Sequence, residues 1–154
     1  MKALLHKSDF ERVLATASCS RSAHFAVHHV AGRPSAPRRR LPKPRAGELS
    51  TGTAPVVLRP VDDLTASSRP DDHWAGCVVP KRHAKRAVTR NLVKRQVRAA
   101  LARHAGRLAP GLWLVRLKAP FAGAQFPSAA SGALRQAVRA ELESLIAATV
   151  RKSA

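Results

Sequence analysis

The chain is 154 residues long and carries 28 Lys and Arg against 9 Asp and Glu, a formal net charge of +19. That length fits one domain with a modest core, and that charge makes a polyanion the natural counter-surface, nucleic acid ahead of anionic membrane. No apolar run approaches the roughly 18 residues of a membrane span, and charges interrupt the N-terminal MKALLHKSDFERVL too early for a secretory signal, so a cytoplasmic protein with no membrane partner is expected.

In chain order, SDFERVL (Ser8–Leu14) predicts a short helix with Ser8 as N-cap, Asp9 and Glu11 in a first turn that favours acids, and Phe10, Val13 and Leu14 on one face. HFAVHHV (His24–Val30) predicts a strand with Phe25, Val27 and His29 on one side and His24, Ala26, His28 and Val30 on the other. Residues 31–70 change character. They hold 7 of the 11 prolines and the run PRRRLPKPR, and read as a disordered insertion in a single RNA-binding domain whose ordered core covers about 5–30 and 73–150. PVVLRPV (Pro55–Val61) inside it has strand composition, but its prolines confine it to an edge. WAGCVV (Trp74–Val79) predicts a buried strand closed by Pro80, followed by a long helix from about Arg86 to His104 that stops near Gly106. LWLVRL (Leu112–Leu117) is the next strand, and Ser128 or Ser131 opens a last helix in which Leu134, Val138, Leu142 and Leu145 repeat at helical spacing. Trp74 and Trp113 belong to the sheet core. Strand, helix, strand, helix implies an α/β (α+β) two-layer sandwich on a small mixed, partly parallel sheet.

The acids are unevenly placed. From His73 to Ala140 there is no Asp or Glu, while 14 Lys and Arg fall in that span, so internal ion pairing does not account for the charge. On the long helix, Arg90, Asn91, Lys94, Arg95 and Arg98 fall within an arc of roughly 140° opposite Val93, Val97 and Ala100. A merely solvated face would interleave Glu with Lys at i,i+4, and this one forgoes every such pair. No preceding helix of a helix-turn-helix and no zipper pattern is visible, so a folded RNA fits better than the major groove of DNA. Cys19 and Cys77 lack metal-site spacing and read as small, partly buried residues in a reducing compartment.

The run VVPKRHAKRAVTRNLVKRQVRAAL resembles the protein subunit of bacterial ribonuclease P, a family that carries paired cations at a strand end and then Ala-Val and R-N-x-x-K-R-x-x-R along the following helix. Lys81, Arg82, Ala84, Lys85, Ala87, Val88, Arg90, Asn91, Lys94, Arg95 and Arg98 fall on that pattern, and Asp9-Phe10 and the Phe25 strand extend it. Leu92 departs where the family often has a further Arg, Ala99 where Glu is common, and Leu112 where an acid often precedes the strand. The resemblance implies a left-handed βαβ crossover, as in one ribosomal-protein domain, against the right-handed rule for such units. It implies that Lys81, Arg82, Lys85, Arg86, Arg90, Asn91, Lys94, Arg95 and Arg98 bind the catalytic RNA. It also implies that a groove between the first helix and the sheet, with Phe10, Phe25 and His28, takes the 5′ leader of precursor tRNA. The family often has aromatics where Leu14 and His28 stand.

By the same resemblance the catalyst is the RNA subunit, which holds most of the Mg²⁺, and this chain is an accessory subunit with no catalytic residue of its own. The residues agree independently, because a two-metal protein nuclease needs clustered carboxylates. Asp62, Asp63, Asp71 and Asp72 lie in or beside the insertion, while His28 and His29 alternate across a strand, away from His83 in a loop. The alternative class is a non-enzymatic ribosomal or assembly protein with the same basic helix, distinguished by which large RNA the chain associates with.

Overall fold

The computed structural model describes residues 1–35 and 72–153, so most of the expected insertion, including Pro55–Val61, lies outside the described residues. Among the described residues there are three α-helices, α1 (Lys7–Leu14), α2 (Ala87–His104) and α3 (Gly132–Ser153). Five strands form one sheet: β1 (Lys2–Ala3), β2 (Ser20–Arg21), β3 (Phe25–Val30), β4 (His73–Val78) and β5 (Gly111–Leu117). Their order is β1-β4-β5-β3-β2. The first three neighbours run parallel and the last two pairings are antiparallel, so the sheet is mixed as expected. The two-residue edge strands β1 and β2 carry no pattern long enough to read from sequence. Among the described residues, no helix is long and apolar enough to cross a membrane.

Strand alternation sorts the side chains to two faces. Phe25, Val27, Trp113, Val115 and Leu117 join Val93, Val97, Leu101, Leu134, Val138, Leu142 and Ile146 in the main core between the sheet and the layer of α2 and α3. α2 lies against β4, and α3 against β3 and β2. The other face carries a smaller core of Leu4, Val13, Trp74, Leu112 and Leu114 under α1. Both tryptophans are buried, and the Trp113 indole donates to the Ala109 carbonyl at 2.8 Å.

Local chemistry fixes the ends of the elements. The Ser131 hydroxyl accepts the Leu134 N–H at 3.1 Å and so caps α3. α1 instead starts two residues earlier than a Ser8 cap would place it, after an extended His6 with no side-chain cap. Ser8 is therefore inside the helix, its hydroxyl 3.4 Å from that of Ser35. Gly111 opens β5 with φ +131°, where a Cβ would meet the Val30 carbonyl at 2.5 Å, so only glycine fits this junction.

Candidate nucleic-acid interface

β4 delivers the chain to the turn Lys81–Arg86, where Lys81, Arg82, Lys85 and Arg86 are all exposed. α2 follows with no acid in its first turn and no side-chain cap from Arg86, so its N-terminal N–H groups add a positive end to the cationic turn. On α2 itself, Asn91, Arg95 and Arg98 are exposed, Arg90 and Lys94 are half-buried, and Leu92, Val93, Val97, Ala100 and Leu101 dock on the core. The ion pairs of the described residues use Lys2, Lys7, Arg12, His24, Arg103 and His104, and none of the cations from Lys81 to Arg98. The predicted array is therefore brought together on one surface and is not neutralised among the described residues.

Within this array Arg90 has a second task. One guanidinium nitrogen donates to the carbonyls of Ala84 and Lys85, at 3.1 and 2.6 Å, and ties the turn to the helix. Sequence reading makes Arg90 equivalent to Arg95, because a bond to backbone carbonyls leaves no trace in residue pattern. Lys94 and Arg98 are near enough to β4 for their charges to act on Cys77. Burial pushes the Cys77 thiol up to about 12, against the opposing pull of these two cations. Leu92 is buried at the α3 side of the helix, where its apolar side chain joins the core.

The face under α1 is the second half of the site. The Phe10 ring lies over Gly76 of β4, where an added Cβ would come within 2.9 Å of its edge, so the missing side chain makes the seat for the ring. His28 is on the same face, 8% exposed, with Nδ1 3.0 Å from the Thr16 carbonyl. Phe25 is not there. It is fully buried on the opposite face, 5.9 Å from Phe121 between ring centroids, because its odd register in β3 points it at α3. Phe25 is thus corrected from a groove residue to a core residue. Arg116, missed by sequence reading, takes its place: register sets it between Ala26 and Val78, half-buried and without an ion pair among the described residues. The signal was present in LWLVRL, where Arg116 is in phase with Leu112 and Leu114 and breaks an otherwise apolar face.

Two carboxylates brace these surfaces. Asp9, fully buried, accepts the Ser35 N–H at 2.9 and 3.1 Å and the Ser35 hydroxyl at 2.8 Å, so α1 is fastened to the chain leaving β3. Glu141 of α3 accepts the Ser22 hydroxyl at 2.6 Å and the His24 N–H at 2.7 Å, and faces the His24 ring at 2.8 Å. Burial alone would raise the Glu141 pKa, but the Ser22 and His24 bonds outweigh it and hold the group below its ordinary value. Among the described residues, no group of three or more His, Cys, Asp or Glu comes together to hold a metal ion.

The family model described as Ribonuclease P matches residues 1–141 of the chain. The Ribonuclease P protein component of Burkholderia pseudomallei (strain 1106a) is 40% identical over 83 residues, which are 54% of this chain and 61% of that protein. The chain thus spans less than two thirds of that relative's length. The Ribonuclease P protein component of Paraburkholderia xenovorans (strain LB400) is 30% identical over 151 residues, 97% of this chain and 81% of that protein. Among solved structures, the Staphylococcus aureus RNase P protein superposes with a TM-score of 0.56 at 15% identity, covering 96% of this chain and 94% of that one, and so shares the fold.

Proposed function

This chain belongs to the Ribonuclease P protein family, and from that membership we propose that it is the protein subunit of an endoribonuclease that removes the 5′ leader of precursor tRNA. The single observation that carries the reading is the cationic surface from Lys81 to Arg98, assembled from a turn and one face of α2 and without an ion pair among the described residues. That surface holds the catalytic RNA through Lys81, Arg82, Lys85, Arg86, Asn91, Lys94, Arg95 and Arg98, with Arg90 both contacting it and shaping the turn. Planar guanidinium forks and one amide suit phosphates and base edges at the irregular turns of a folded RNA.

The leader of precursor tRNA enters the cleft between α1 and the sheet. Phe10 is its stacking platform, His28 its wall and Arg116 its phosphate contact. The hydrolytic step belongs to the RNA, which holds the Mg²⁺, while the protein supplies charge and position. Asp72, the one acid of the 62–72 group within the described residues, is engaged by Lys2 at 2.6 Å.

Reconstitution tests the reading. The protein, a ribonuclease P RNA and precursor tRNA are mixed at low Mg²⁺ and 5′ cleavage is measured, with each component omitted in turn. Cleavage is expected only when protein and RNA are both present, with RNA alone active at high Mg²⁺. Cleavage by rigorously RNA-free protein overturns the assignment.

A further inference from the structure

A groove separate from the leader cleft runs between the N-terminal halves of α2 and α3. Two tethers hold the helices side by side and set its width. The Thr89 hydroxyl donates to the Ala129 carbonyl at 2.7 Å at one end, and Arg103 and His104 pair with Glu143 at the other. The groove encloses about 300 Å³ and is lined chiefly by Val88, Asn91, Leu92, Arg95, Gln96 and Arg135.

That lining is selective in its chemistry. Val88 is 55% exposed, an unusual exposure for a valine beside a buried leucine, and together the two offer an apolar floor. Asn91 and Gln96 carry amides that both donate and accept. Arg95 and Arg135 stand on opposite lips, and neither makes an ion pair among the described residues. The α3 acids do not reach this end. Glu141 is held by Ser22 and His24, and Glu143 by Arg103 and His104, both further along the helix than Arg135.

We propose that this groove seats one unpaired nucleotide of the bound RNA, which makes Arg135 of α3 an RNA-contacting residue outside the Lys81–Arg98 array. The inference rests on the RNA-binding reading above. A base face fits the Val88–Leu92 floor, the two amides meet its hydrogen-bonding edge, and the paired guanidiniums grip the flanking phosphate. The groove is at the small end of ligand-site volumes, which suits a single extruded base and excludes a duplex. Two guanidiniums with no carboxylate partner among the described residues favour RNA over a protein partner.

The test measures affinity for a full-length ribonuclease P RNA transcript across a salt series, for the wild-type chain and for Arg135→Ala, Gln96→Ala, Arg98→Ala and Arg151→Ala. Arg151 is exposed on the same helix but far from the groove. Arg135→Ala is expected to weaken binding about tenfold and to lower the logarithmic salt slope by about 0.7, the contribution of one single-stranded phosphate. Its melting temperature should equal that of the wild type, and Arg151→Ala should bind within about twofold of wild type. A photoreactive group on Gln96→Cys should crosslink to an unpaired nucleotide. If Arg98→Ala weakens binding while Arg135→Ala behaves as Arg151→Ala, the RNA-binding reading stands and the groove proposal falls. If Arg98→Ala is also without effect, the underlying reading fails.

Discussion

Replacing Arg90 and Arg95 in parallel separates the two duties of the α2 face. Arg95 is exposed, so Arg95→Ala removes charge from a surface position and should change folding stability by no more than about 0.5 kcal/mol. Arg90→Ala also removes two charged bonds, to Ala84 and Lys85. Bonds of this kind contribute about 1.5–3 kcal/mol when sheltered, and these are half-exposed, so a combined loss of about 1–2 kcal/mol is expected. For a chain of this size that corresponds to a melting temperature lower by roughly 2–8 °C. Both variants should lose about 1.5–3 kcal/mol of RNA affinity, measured by filter binding or fluorescence anisotropy. Arg90→Lys keeps the charge without the planar fork, and should retain the salt dependence while melting early. Equal melting temperatures for Arg90→Ala and Arg95→Ala would show that the bonds to the turn contribute nothing and that Arg90 is only another surface cation.

Phe10→Ala should lower holoenzyme affinity for precursor tRNA by about 1–2 kcal/mol and leave mature tRNA almost unaffected, since the two differ only in the leader; an unchanged precursor-to-product ratio removes Phe10 from the groove. Gly76→Ala should act in the same direction with an intact α1 surface. Its Cβ would meet Leu114 at 2.8 Å and Phe10 at 2.9 Å, a crowding that costs about 1–3 kcal/mol and is read by melting. Deleting residues 36–70 with a short Gly/Ser join should preserve folding and cleavage, because loop closure costs little. A deletion that starts at Gly32 also strips Ser35 from the buried Asp9, leaving it only Arg12, and should destabilise by about 1–3 kcal/mol; similar denaturation midpoints for the two deletions would contradict this. Glu141 has a depressed pKa, so its stabilisation is full above about 4.5 and fades as pH falls through the lower folded value. The melting gap between wild type and Glu141→Gln should therefore be widest near neutral pH and close on acidification, and a gap independent of pH would refute the anchor.

The main elements were legible because each has an internal period. The stretches Ala87–His104 and Gly132–Ser153 repeat apolar residues at helical spacing, and β3, β4 and β5 have β-branched or aromatic runs bounded by Pro or Gly. The cationic face of α2 was legible for the same reason. The α1 face of the sheet was not, because its assignment depends on which side of β3 faces α3. A phase argument gives two sets of residues and no label for either, and so Phe25 could be placed in the groove as readily as in the core. Only tertiary packing breaks that symmetry, placing Phe25 against Phe121 and Phe10 over Gly76. The carboxylate braces were invisible as well, since Asp9 meets Ser35, and Glu141 meets Ser22, only after the chain has folded back on itself.

The register of the sheet also decides where this protein tolerates change in length. Val30, the last residue of β3, and Trp74, near the start of β4, flank Leu112 on either side, so the chain leaves and re-enters the sheet two strand spacings apart, about 10 Å. β4 then runs away from that point before reaching the cationic turn at Lys81. A lineage can therefore lengthen, shorten or recompose residues 36–70, which leaves the Asp9–Ser35 and Lys2–Asp72 contacts in place, without shifting any α2 side chain relative to the sheet. The same gap is a natural port for a reporter or affinity domain, whose ends need only meet that short span.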